Sequence, residues 1–105
     1  MLRREIPHHE QAGRVIRLSR SMLAPAPLSG SEELTPLQPF QPWTEQMQPL
    51  CYWDDEPVAL LVEPQAESGW IDGRQWMSEL STAWFSLLST ALQVGAWLEN
   101  HRFCG

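Results

Sequence analysis

Along Arg14-Val15-Ile16-Arg17-Leu18-Ser19-Arg20 the residues alternate between apolar and polar after Ile16. A period of two marks a half-buried strand, so Ile16 and Leu18 are expected inward, Arg17 and Ser19 outward. Further on, Leu50-Cys51-Tyr52-Trp53 and Val58-Ala59-Leu60-Leu61-Val62 flank the polar link Asp54-Asp55-Glu56-Pro57. Aromatic and aliphatic runs on either side of a four-residue polar link predict a β-hairpin with the link at its tip. From Asp72 the period changes. Gln75–Leu80 predicts a short helix, and Ser81 or Thr82 stands where a cap for a longer second helix belongs. In that helix Leu80, Trp84, Leu87, Leu88, Ala91, Leu92, Gly95 and Leu98 recur at steps of three and four. Such a stripe is expected to lie against the sheet.

The segments between these elements are less regular. Residues 1–13 are polar, with Pro7 and the pair His8-His9, and read as a loose arm. Paired histidines with no third ligand nearby are a poor metal site. Residues 24–49 hold six of the nine prolines, which remove ladder donors and fix φ, so regular structure should be sparse there. A short extended piece such as Leu34–Leu37 is expected to cross the sheet edge. The order of elements predicts an α+β domain: an antiparallel β-sheet followed by C-terminal helices. At 105 residues this is one domain, able to bury roughly 65% of its unfolded surface.

Charge narrows the possible partners. The net charge is −6 and no lysine is present, so every cationic contact falls to arginine or histidine. No basic residue lies between Met22 and Gly73, whereas nine acids do. That balance argues against non-specific binding to a nucleic-acid backbone by this segment. The three adjacent acids Asp54, Asp55 and Glu56 are more economically a hairpin tip than a Ca²⁺ site, which needs about six oxygens. The two cysteines, Cys51 and Cys104, sit in unlike contexts, and no apolar segment follows Arg3 and Arg4 as a signal peptide requires. A reduced, cytoplasmic protein is expected. Cys51 reads as a small buried hydrophobe. Trp84–Leu98 is too short and too interrupted by hydroxyls to cross a membrane.

A complete active site is not found. There is no Gly-x-Gly-x-x-Gly, no phosphate loop and no Gly-x-Ser-x-Gly elbow. After Asp72 the only acids are Glu79 and Glu99, too few to hold a catalytic Mg²⁺. The tail His101-Arg102-Phe103-Cys104-Gly105 reads as the start of a metal knuckle. One thiolate cannot satisfy tetrahedral zinc, so the chain is read as the front domain of a longer protein.

The segment Leu92–Gly105 resembles the junction in NADH pyrophosphatases of the Nudix superfamily. There a helix ending in His, a basic residue, an aromatic, Cys and Gly leads into a four-cysteine zinc ribbon and then the catalytic domain. Trp53–Val62 is similar to the family's turn and Glu-Pro-Val strand before that helix. Trp70-Ile71-Asp72-Gly73-Arg74 matches a third landmark, where an arginine opens the helical part. The resemblance covers residues 50–105 well and residues 1–49 only by position and strand pattern.

The resemblance implies a parent enzyme that hydrolyses NAD(H) to the nicotinamide mononucleotide and AMP, with some members removing NAD caps from RNA. It implies homodimers, structural zinc, and Mg²⁺ or Mn²⁺ for catalysis. Residues 1–102 would be a Nudix-like N-terminal domain and residues 103–105 the first of the ribbon. No Nudix box is present, so no cofactor is expected in this chain, which alone should be inactive. Cys104 matches the first ribbon thiolate. Arg74 matches an arginine that the family associates with substrate, as suits guanidinium pairing with phosphate. The family's lysine near substrate has no counterpart here.

For Arg74 the other reading is a surface arginine at a helix start, paired with Asp72 or Glu79. Trp70, Trp76, Trp84 and Trp97 are expected in core or dimer packing. His101 is either a helix-end residue or a donor to a ribbon sulfur. For the chain as a whole the alternative is a stand-alone acidic module that binds a protein partner through a tryptophan-rich surface.

Overall fold

The computed structural model describes residues 2–27 and 33–104, the last four by backbone alone. Among the described residues nine strands precede two helices: β1 (Leu2–Arg3), β2 (Ala12–Ser19), β3 (Met22–Leu23), β4 (Ala26–Pro27), β5 (Leu34–Thr35), β6 (Gln38–Pro42), β7 (Gln48–Trp53), β8 (Glu56–Val62), β9 (Ile71–Asp72), α1 (Gly73–Glu79) and α2 (Thr82–Cys104). Seven strands form one sheet in the order β1-β7-β8-β2-β3-β9, with β6 also on β2; β4 and β5 make a separate pair. The architecture is α+β, with a mostly antiparallel sheet and C-terminal helices.

One pairing departs from the antiparallel expectation. β2 and β8 run parallel, with Arg14 opposite Val58 and Leu18 opposite Val62. A period of two reports which face is buried but nothing about strand direction. β2 and β8 are also buried on both faces, as parallel pairs usually are. Ile16, Leu18, Val58 and Leu60 belong to the main core, while Val15 and Ala59, opposite each other, are buried outside it. Ser19, expected outward, is only 3% exposed for the same reason.

The hairpin forms, but its loop is shorter than the polar run suggests. Trp53 pairs with Glu56, so only Asp54 and Asp55 turn the chain, at φ of 49° and 65°. Positive φ at both central positions is what a two-residue hairpin turn needs to match strand twist, and aspartate tolerates it. Glu56 and Pro57 therefore belong to β8. On the other strand the register shifts between Pro49 and Cys51, a bulge beside a proline that has no N–H to donate.

The arm and the proline-rich segment are more ordered than expected. Leu2 and Arg3 pair with Trp53 and Tyr52, the Arg3 guanidinium lies 4.4 Å over the Tyr52 ring, and Pro7 is fully buried. β6 runs through Pro39 and Pro42 along β2, with only one edge to satisfy. Leu34 and Thr35 do not join the large sheet; they pair with Pro27 and Ala26.

Both helices begin close to where the pattern changes. Asp72 caps α1, its Oδ1 accepting the Arg74 backbone N–H at 2.8 Å, and the Leu80 N–H closes the other end on Trp76 O at 2.9 Å. The α2 stripe packs as expected: Leu87, Leu88 and Ala91 are fully buried, and Trp84, Leu92 and Leu98 pack at the margin. The rings of Trp53 and Trp84 meet at 4.9 Å, which ties the hairpin to the helix. Trp70 and Trp76 are buried, but Trp97 is 55% exposed and is not core.

Cys51 is 1% exposed, and burial pushes its thiol up to about 11. A protonated thiol is a poor nucleophile. In a Cys104→Ser background the native protein should therefore leave a thiol reagent unconsumed at pH 8 and react fully in denaturant. The linkage has one sign: the unfolded thiol ionises first, so stability is lost as pH rises from about 9 toward about 11. Rapid native labelling would contradict the burial.

Candidate functional site

Arg74 stands at the first turn of α1, where that helix leaves the sheet. β9 sets its position: Met22 pairs with Asp72, and one step on the Gly73 N–H donates to Ser21 O at 2.7 Å. Arg74 is exposed. The expected pairing with Asp72 or Glu79 does not form: Asp72 Oδ1 takes the backbone N–H of Arg74, and Glu79 Oε1 accepts from Gln75 at 3.3 Å. Among the described residues the side chain of Arg74 has no ion-pair partner.

Other arginines are committed to the fold. Arg17 donates from Nε to Glu63 Oε2 at 2.6 Å and from a terminal nitrogen to Glu63 Oε1 at 3.1 Å, with Glu67 at 3.3 Å. The hydrogen bond to Glu63 raises its pKa above the usual value, against the opposing effect of burial. Its guanidinium also lies 5.3 Å from the Trp70 ring, so it fastens the 63–70 loop to β2. Arg14 donates to Gln38 O at 2.6 Å and lies 3.7 Å from Glu56, joining β6 to β8. These two are structural.

Several open clefts lie on the described surface, two of them beside the β2–β3 turn and α2. A cleft of about 410 Å³ runs beside the β2–β3 turn, lined by Ser19, Arg20, Met22, Pro64, Gln65 and Ala66. A second, of about 480 Å³, lies between the bulged part of β7 and the last turns of α2, with Ile6, Leu50, Val94 and Trp97 on its walls. Neither contains Arg74.

The metal positions of the resemblance are not met by described side chains. Among the described residues no three His, Cys, Asp or Glu side chains converge on a point. Cys104 lies in the last turn of α2 and its side chain, like that of His101, falls outside the described residues. No described helix is long and apolar enough to cross a membrane.

What fold and site define together is an acidic α+β module with one exposed arginine held at a sheet–helix junction, without a metal cluster among its described residues. Curated sequences similar to it carry one name. The chain is 43% identical over 58 residues to NAD-capped RNA hydrolase NudC of Pseudomonas syringae pv. tomato, covering 51% of this chain and 21% of that protein. It is 42% identical over 62 residues to NAD-capped RNA hydrolase NudC of Stutzerimonas stutzeri, covering 55% of this chain and 22% of that protein. The resemblance to NADH pyrophosphatases therefore holds at the level of sequence, and the chain spans about a fifth of the length of the relatives it matches. No family model and no solved structure matches it.

Proposed function

We propose that this chain is the non-catalytic front domain of an NAD(H) diphosphatase, a Nudix hydrolase that acts on NAD(H), on NAD-capped RNA or on both. The observation that carries the reading is the stretch of about 41–43% identity to hydrolases named for NAD-capped RNA. The exposed Arg74 supports it, since a guanidinium with no carboxylate partner among the described residues is available to phosphate oxygens. In this reading the domain contributes to homodimer formation in the cytoplasm and presents Arg74 to substrate. The catalytic Mg²⁺ or Mn²⁺ sits in the domain beyond it, and Cys104 supplies the first thiolate of a structural zinc.

The test compares the 105-residue chain with the product of its full reading frame, both assayed on NADH with Mg²⁺ or Mn²⁺. The chain alone should turn over nothing and hold no stoichiometric zinc; the full product should cleave NADH and hold about one zinc per subunit. Turnover by the chain that disappears on mutating one of its residues would overturn the reading. A full product with no hydrolase activity would favour the stand-alone interaction module instead.

A further inference from the structure

We propose that the cleft between β7 and the last turns of α2 is a binding site for a small amphiphile, an apolar chain or ring that carries one anionic group. The site is independent of the substrate role given to Arg74, which lies outside it. The cleft holds about 480 Å³, within the range of small-molecule sites. Leu50 and Cys51 reach it from the bulged part of β7, Val94, Trp97 and Leu98 from α2, and Ile6 from the segment after β1.

The sequence explains why this place is open. Pro49 has no N–H to give, and the register of β7 on β8 shifts between Pro49 and Cys51. On its other edge β7 pairs with β1 only at Trp53 and Tyr52, opposite Leu2 and Arg3. Among the described residues no strand covers that edge from Gln48 to Cys51. Apolar groups that a covering strand would hide stay accessible from the cleft. Ile6 is 43% exposed and Trp97 55%, two of the five large apolar side chains that stand this open among the described residues. Exposed apolar side chains scattered singly are ordinary, but two of them on one concave surface mark a binding surface.

Charge selects the occupant. The chain has 13 acids and a net charge of −6, yet no acid lines this cleft. Its one charged lining residue is Arg4, which is exposed and has no ion-pair partner among the described residues. Gln48, Thr90 and Gln93 add neutral polar groups, and the Thr90 hydroxyl already donates to Ser86 O at 2.9 Å. An apolar body against Leu50, Val94 and Trp97, with a carboxylate directed to Arg4, answers both the apolar lining and the lone cation. A cationic amphiphile would bring a like charge to Arg4 and find no carboxylate to meet it.

The test is an amide-resolved NMR titration of the 105-residue chain with decanoate, decanol and decyltrimethylammonium, each below its micelle concentration. Decanoate should shift the amides of Leu50, Cys51, Val94 and Trp97 together and bind the tightest of the three. Arg4→Gln should weaken decanoate about fivefold, the scale of one exposed ion pair, and leave decanol unchanged. Arg4→Lys should keep most of the affinity. Trp97→Ala, at a position exposed enough to spare the core, should weaken decanoate and decanol alike by about tenfold, since an apolar wall is lost. Sedimentation equilibrium with and without decanoate covers the rival occupant. A dimer that decanoate dissociates assigns the cleft to a second copy and overturns the proposal. Shifts scattered over the whole surface, no shift, equal affinity for the three probes, or unchanged binding by Trp97→Ala overturn it as well.

Discussion

Replacing Gly13 with alanine should destabilise the domain by about 3 kcal/mol, the upper end of what overpacking costs. Gly13 lies in β2 and is buried. A Cβ built there would run into the carbonyl oxygen of Pro57, with Trp43 Cζ2 at 2.7 Å and Pro57 Cγ at 2.9 Å. None of the three can easily yield. Pro57 lies in β8, paired with Tyr52 of β7, so its carbonyl cannot swing away without disturbing the sheet. Trp43 is tethered by its backbone N–H, which donates to Gln11 O at 2.9 Å. For a domain of this size the loss should lower Tm by about 12–24 °C. The comparison is Gly95→Ala, whose added methyl meets Leu18 and Leu60 side chains, which can change rotamer. A Gly13→Ala variant that melts no lower than Gly95→Ala would show that β2 and β8 do not approach as closely as described.

That close approach belongs to the part of the fold that was hardest to read. Periodicity is a local signal, so the hairpin strands, the helix stripe and the inward placement of Ile16 and Leu18 were legible. Pairing partners are not local. Nothing in Arg14–Arg20 tells that its neighbour is Val58–Val62 and that the two run parallel. The burial of Ser19 and Val15 follows from that pairing, because a strand covered on both faces has no outward side. The short hairpin loop was hidden by composition: four polar residues look alike, yet only Asp54 and Asp55 take positive φ. In the candidate site, Arg74 was legible because a resemblance marked it.

In the proposed full-length hydrolase, Arg74→Ala should lower kcat/KM for NADH about ten- to a hundredfold while leaving Tm nearly unchanged. A lost charge-assisted hydrogen bond costs roughly 1.5–3 kcal/mol, and that energy reads out in catalysis only if the partner is substrate. The two accounts of this residue differ in what the guanidinium would touch. A structural arginine would resemble Arg17, with two bonds to Glu63 and a ring beneath it. Arg74 has no such partners among the described residues, and its contribution to α1 is its backbone N–H, which alanine retains. Alanine is also a better helix former than arginine, if only slightly, so the helix itself should not suffer. Arg74→Lys should recover part of the loss, since an ammonium keeps the charge but not the bidentate fork. Melting temperature and kinetics measured on the same preparation decide the matter. A Tm lowered by several degrees with kcat/KM of the folded fraction intact would make Arg74 a surface residue of the fold and nothing more.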